Sequence, residues 1–305
     1  MTEILHEPWD AGMSVQFRID EVHARRRTPY QELLVAETET YGRCLFIDDL
    51  VQSTEADEAL YHEPFVHPAM VIHGAPRRVL VGGAGEGATL RELLRHPTVE
   101  HVLAVDLDPE VIEVCKEHLP AWSDGAFDDP RVTLRIEDVQ VTLAEAQREP
   151  PWDVILMDVT DPVEDGPAVD VFTVEFFERA AAALADDGIF VLQSGELDPH
   201  DLHLARTVRS TLGEAFSWVH MIPIHVPSFH CIWSVTLAAK RPPVAVPDDL
   251  EARVARLPAE RLRAYSAAMH RALLTQPPWL ERGLAVPGRV LRGDGLVTYR
   301  KGAGP

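Results

Sequence analysis

Four carboxylates stand at or just beyond the ends of segments that read as strands. Glu86 lies within Gly82-Gly83-Ala84-Gly85-Glu86-Gly87, directly after Arg78-Val79-Leu80-Val81. Asp106 closes Val102-Leu103-Ala104-Val105, Asp138 follows Val132 to Ile136, and Asp158 closes Val154-Ile155-Leu156-Met157. In an open parallel sheet such positions fall at the carboxyl ends of strands, where ligands bind. A glycine-rich turn between strand and helix suits a nucleotide or nucleoside, although such a turn also serves tight packing alone. Asp106 stands about twenty residues beyond the loop, the place of an acidic side chain that accepts hydrogen bonds from ribose hydroxyls. Asp138 would lie near the adenine.

The charge of Glu86 narrows the ligand. A pyrophosphate would be repelled from this loop, whereas a sulfonium nucleoside would be welcome. Glu86 would also repel the carboxylate of S-adenosylmethionine and attract the bare ammonium of its decarboxylated form. The alternative is a Glu86 turned to solvent. Asp158 and Asp161 lie three residues apart in Met157-Asp158-Val159-Thr160-Asp161-Pro162. An amine nucleophile needs a base and a second anion to hold its charged chain. Asp158 is read as the base and Asp161 as the amine anchor. A turn-capping Asp before Pro explains Asp161 equally well, but not an Asp158 that follows an apolar run.

The elements that position these groups are legible as two patterns. Up to about residue 66 the chain reads as short strands at Ser14–Ile19, Gln31–Ala36, Cys44–Ile47 and Val51–Thr54, a small antiparallel β domain. Glu58 to His73 reads as a helix interrupted by proline. From there strands and helices alternate to about Lys240, the pattern of an α/β, Rossmann-like, doubly wound and mostly parallel sheet. Val219–Ile224 and Ile232–Leu237 add two antiparallel strands. A proline-rich linker follows, and residues 241–305 form a helical extension, amphipathic over 250–275 through Leu250, Val254, Leu257, Leu262 and Leu273. The expected organisation is 1–66, 67–240 and 241–305.

Composition sets the outer limits. Among 305 residues, 46% are apolar and 25% charged, ordinary for a globular chain. No apolar run approaches the ~20 residues of a bilayer span, and the acidic N-terminus lacks a signal pattern. No membrane partner is expected, and the protein is placed in the cytoplasm. Cys44, Cys115 and Cys231 are odd in number and widely spaced, so they read as small buried hydrophobes rather than disulfides or a zinc site. With 49 acidic against 28 basic side chains, the net charge of −21 argues against a nucleic-acid partner. It suits a cationic substrate, or simply solubility.

Together these residues resemble the spermidine synthase family of aminopropyltransferases. The resemblance runs from about Trp9 to Lys240. It rests on Tyr30-Gln31, Val51 through Glu58, Tyr61-His62-Glu63, the Gly82–Gly87 loop, Asp106-Leu107-Asp108, Asp128 through Val132, and Asp158 through Pro162. It implies that Gln31, Glu86, Asp106 and Asp138 contact decarboxylated S-adenosylmethionine, and that Asp158 is the base. Asp161 with Tyr61 would line the acceptor site, with His62, Gln52 and Gln193 around the same cleft. It also implies a homodimer or homotetramer, and a nucleoside that is a co-substrate, so neither metal nor cofactor is expected.

Some positions depart from the common pattern. The loop carries Glu86 where the family usually has Asp, Val139 stands for Gly, and His225 to Trp233 replaces a Tyr-Pro-Ser-Gly run. In Glu86, in His225 through Phe229 and in Asp158 through Pro167, the chain resembles the thermospermine synthase branch more. Glu164 and Asp165 would then bind further nitrogens of a longer acceptor, so the acceptor is putrescine or spermidine. The expected reaction is direct displacement at the methylene beside the sulfonium, releasing methylthioadenosine. A methyltransferase using S-adenosylmethionine and a non-catalytic polyamine-binding protein are the alternatives.

Overall fold

The computed structural model describes residues 3–10, 13–146, 150–160 and 169–293. Asp161, Glu164 and Asp165 lie outside the described residues.

The chain opens with strands β1 (Glu3–Asp10), β2 (Met13–Arg27), β3 (Glu32–Thr38), β4 (Gly42–Ile47) and β5 (Leu50–Thr54), paired antiparallel in that order. The alternation in β3 and β4 is buried on both faces. Leu34, Ala36, Cys44 and Phe46 join the core around the following helix, while Leu33, Val35 and Leu45 pack with Val111 and Trp122. Strand β1 went unforeseen because Glu3 to Asp10 carries little apolar periodicity. It is held by its ladder to β2, which runs from Glu3 to Pro8 and resumes at Asp10, rather than by its own composition.

Helix α1 (Glu58–His73) runs unbroken through Pro64 and Pro68, so the boundary expected near residue 66 falls inside it. Then come β6 (Arg78–Gly82), α2 (Ala88–Leu94), β7 (His101–Asp106), α3 (Pro109–His118), α4 (Pro120–Ser123), β8 (Val132–Ile136), α5 (Val139–Glu145), β9 (Trp152–Met157), α6 (Val174–Ala183), β10 (Leu184–Glu196), α7 (His203–Ala215), β11 (Trp218–Val226) and β12 (Cys231–Ala239). The sheet order is β11-β12-β10-β9-β6-β7-β8. Strands β6 to β10 are parallel, and β12 and β11 close one edge antiparallel. Period-two alternation splits the strand residues between two cores. Val79, Val81 and Leu156 face α1 and α2, whereas Leu80, Ile155 and Phe190 face Phe176, Phe177 and Leu212 of α6 and α7. The result is an α/β three-layer fold beside a small β sheet.

The sequence pattern for 250–275 suggests one amphipathic run. The chain instead forms α8 (Leu250–Val254), α9 (Ala267–Leu273) and α10 (Pro278–Leu284), with a single helical turn at Ala259–Arg261. Pro258 cannot continue α8, and the Ser266 hydroxyl caps a fresh start by accepting from the Met269 N–H. Leu250, Leu257 and Leu273 are nevertheless buried against the α1 side of the sheet.

Candidate active site

Strand order reverses at β6, with β7 on one side and β9 on the other, so a crevice opens above the carboxyl ends of β6 and β9. A cavity of about 410 Å³ occupies this place, bounded by the glycine loop, Asp106, Asp138, Asp158 and residues of the N-terminal sheet. The two loops touch backbone to backbone: a Cβ on Gly83, whose φ is +82°, would lie 2.0 Å from the Asp158 carbonyl oxygen. No other residue fits there, and the contact holds Asp158 close against the loop that carries Glu86.

Asp158 is gripped at both oxygens. Tyr61 Oη donates to Oδ1 at 2.6 Å and Thr89 Oγ1 to Oδ2 at 2.7 Å. Burial drives its pKa above the usual 3.8 and the Glu86 charge adds to this, while His62 and the two hydroxyl donors work the other way. A carboxylate raised in this manner is a better proton acceptor than a free aspartate.

Glu86 is tied from behind by His62, which is 1% exposed. His62 Nε2 lies 2.6 Å from Glu86 Oε1, and Nδ1 lies 3.3 Å from Glu58 Oε2. Burial opposes charge on this imidazole, but Glu86 and Glu58 outweigh it, and the pKa stands well above 6.5. Glu58 is correspondingly pushed down to about 2, burial being overcome by His62 and Arg91. The other oxygen of Glu86, Oε2, is buried with no hydrogen-bond partner among the described residues. One oxygen is thus committed to the protein and one remains for a ligand.

Asp106 accepts the backbone N–H of Ala84 and of Asp108, each at 2.9 Å, which fixes its carboxylate against the loop. Burial raises its pKa and these bonds lower it, with a net rise. A carboxylate has about four acceptor positions, so hydroxyl donors can still be received. Gln31 Nε2 donates to Asp108 Oδ2 at 3.0 Å, and Asp108 also caps α3 through the Glu110 N–H. Asp138 is exposed and caps α5 through Gln140. At the other side Gln193 Nε2 donates to the Val159 carbonyl at 2.7 Å.

Residues 58–247 match the model of the spermine/spermidine synthase domain, and residues 3–55 match that of the spermidine synthase tetramerisation domain. The chain belongs to the spermine/spermidine synthase family. A polyamine aminopropyltransferase of Synechococcus sp. (strain JA-2-3B'a(2-13)) is 46% identical over 239 residues, 77% of this chain and 75% of the relative. One from Pyrobaculum calidifontis is 38% identical over 276 residues, 90% and 95% respectively. A crystal structure of spermidine synthase in complex with the transition state analogue AdoDATO superposes with a TM-score of 0.83 at 27% identity, covering 93% of this chain and 95% of that one. Spermidine synthase from Thermotoga maritima gives 0.82 at 27% identity, covering 93% and 94%.

In this spermine/spermidine synthase family member, Gln31, Gln52, Tyr61, Glu86, Asp106, Asp138, Asp158 and Gln193 all border the cavity. His62, expected on the acceptor side, does not; it is buried beneath Glu86. Several lining groups escaped the sequence reading. Thr89 sits in the first turn of α2, where a threonine is unremarkable until Asp158 is placed beside it. Asp108 stands in the Asp106-Leu107-Asp108 motif with no role of its own assigned, and it caps α3 before Pro109. Glu7 is 1% exposed and reaches the cavity from β1, a strand the periodicity did not reveal. Phe229 and Trp233 line the wall with ring centroids 5.1 Å apart.

Proposed function

We propose that this chain transfers the aminopropyl group of decarboxylated S-adenosylmethionine to a polyamine, with Asp158 as the base. The observation that carries this reading is the pairing, across one cavity, of a Glu86 with one uncommitted oxygen and an Asp158 held by Tyr61 and Thr89. The ribose would be received by Asp106, the adenine side by Asp138, and the donor ammonium by Glu86. The acceptor amine gives its proton to Asp158, and its lone pair attacks the methylene beside the sulfonium. The carbon–sulfur bond breaks with its electrons passing to sulfur, and methylthioadenosine leaves. Alignment of two bound substrates supplies much of the rate.

For the acceptor the reading favours spermidine over putrescine. The aromatic wall of Phe229 and Trp233 suits methylenes and ammonium groups of a longer chain, and Glu7 adds a carboxylate to that side. Asp161 and Glu164 are proposed to extend it. The enzyme is further proposed to act in the cytoplasm as a homodimer or homotetramer joined through its N-terminal sheet.

Mass spectrometry of products with putrescine, spermidine, agmatine and cadaverine offered separately tests the reading. Decarboxylated S-adenosylmethionine should yield an aminopropyl adduct and methylthioadenosine, with spermidine the better acceptor. Methylated product from S-adenosylmethionine itself would replace this function with methyl transfer.

A further inference from the structure

Residues 249–270 lie along α1, beyond residue 247 where the match to the synthase-domain model ends. Helix α1 carries Tyr61 and His62, and it is an unusually weak helix in its middle. Pro64 and Pro68 have no N–H, so the carbonyls of Leu60 and Pro64 lose their helical donors. The turn bearing Tyr61 and His62 is therefore joined to the remainder of α1 by fewer backbone bonds, and its placement depends on outside contacts.

The C-terminal segment provides them at both ends. Glu63 is fully buried, and its carboxylate accepts three successive backbone N–H groups: Arg263 at 2.7 Å, Ala264 at 2.8 Å and Tyr265 at 2.7 Å. At the far end Arg253 donates to the carbonyls of Val71 and Ile72 at 2.8 and 2.9 Å, and Arg256 to that of Gly74 at 2.9 Å. Arg263 Nη2 reaches the Ala56 carbonyl at 3.0 Å, just ahead of the helix. A carboxylate that satisfies three amides of a loop cannot shift without stranding them, so α1 and the segment move as one body.

We propose that Glu63 is a positioning residue of the reaction: by locking residues 263–265 onto α1, it fixes the turn from which Tyr61 holds Asp158. This rests on the reading of Asp158 as the base, and the experiment separates the two. The Tyr61 hydrogen bond favours the ionised form of Asp158, so its loss moves the acid limb of kcat/KM to higher pH. Rate–pH profiles are recorded for Tyr61→Phe, Glu63→Gln and the double variant, with methylthioadenosine affinity measured by calorimetry.

Tyr61→Phe should move the limb up by about one pH unit, the worth of one such bond. Glu63→Gln should move it in the same direction and lower kcat about tenfold or more, with methylthioadenosine affinity held within about threefold. The double variant should show no further shift, because both changes remove one contact. A Glu63→Gln profile with its acid limb at the wild-type position, whatever the loss of stability, overturns the proposal. If Glu63→Gln does not fold, Glu63→Asp, which keeps the charge but withdraws the carboxylate from the three amides, must show the same upward movement, and its absence is equally decisive. An unmoved limb in Tyr61→Phe itself, or full turnover in Asp158→Asn, would instead strike at the base assignment.

Discussion

At the scale of single residues, the chemistry depends on how ionisable groups are burdened and relieved. Asp158→Asn keeps the shape and one accepting oxygen but sets an NH2 group against the second hydroxyl and removes the proposed proton acceptor. Turnover should fall about 10²–10⁴-fold while methylthioadenosine still binds, and a rate near wild type would exclude the role. Because burial lifts the Asp158 pKa above 3.8, activity should fail on acidification well before a free aspartate would titrate. Glu58 has the opposite shift and a stability consequence. Its pKa is lowered from 4.5 to about 2, so its contribution is complete above 4.5 and is lost as pH falls toward 2. That difference is on the order of 3 kcal/mol. Glu58→Gln should flatten the acid-unfolding curve in this window, which denaturant titrations at several pH values would read. His62 mirrors it on the alkaline side: with a raised pKa, its share is present below 6.5 and disappears as pH rises through the folded value. The carboxylates at strand ends were legible because an apolar run makes the next charged residue conspicuous. His62 was legible as a site residue but not as a buried one, since sequence does not say which side of a helix faces a cavity.

At the scale of elements, the site is a meeting of loops whose geometry leaves no tolerance. Gly83 combines a positive φ of +82° with a Cβ position 2.0 Å from backbone of the opposite loop. Backbone cannot yield as a flexible side chain does. Gly83→Ala should therefore lower the melting temperature and abolish turnover together, whereas Gly213→Ala, with open space at its Cβ, should do neither. Equal behaviour of the two variants would show that the β6 and β9 loops are not in contact. The glycine run itself was plain in the sequence, as were α1 and the strands β6 to β9, because their apolar runs are short and sharply bounded. Helix α7 and strand β1 were not. Helix α7 buries Ala205, Val208 and Leu212 among polar and charged neighbours, and β1 relies on its ladder with β2. The tail pattern at 250–275 had the right apolar residues but the wrong continuity, since Pro258 and the Ser266 cap divide it.

At the scale of the whole molecule, the charge balance gains a meaning that composition alone could not give it. A net charge of −21 is compatible with solubility and nothing more until a cavity lined by Glu7, Glu86, Asp106, Glu137, Asp138 and Asp158 is found. Those carboxylates point the molecule's field toward one opening, and a cleft walled by low-dielectric protein concentrates such a field. A polyamine carrying several positive charges would be drawn in from solution and then held by the same groups. Screening separates these two effects. The Debye length is about 10 Å at 0.1 M salt and about 3 Å at 1 M, so long-range attraction fades while contacts within the closed cavity survive. Raising ionic strength should therefore depress kcat/KM for the polyamine acceptor steeply and leave kcat at saturating acceptor nearly constant. The donor, with a single sulfonium and a single ammonium, should show a shallower slope than the acceptor. Stopped-flow or initial-rate measurements across a salt series, with the two substrates varied in turn, give both slopes from one preparation. Equal slopes for donor and acceptor would mean that the acidic surface serves solubility and that only the groups inside the cavity recognise the amine.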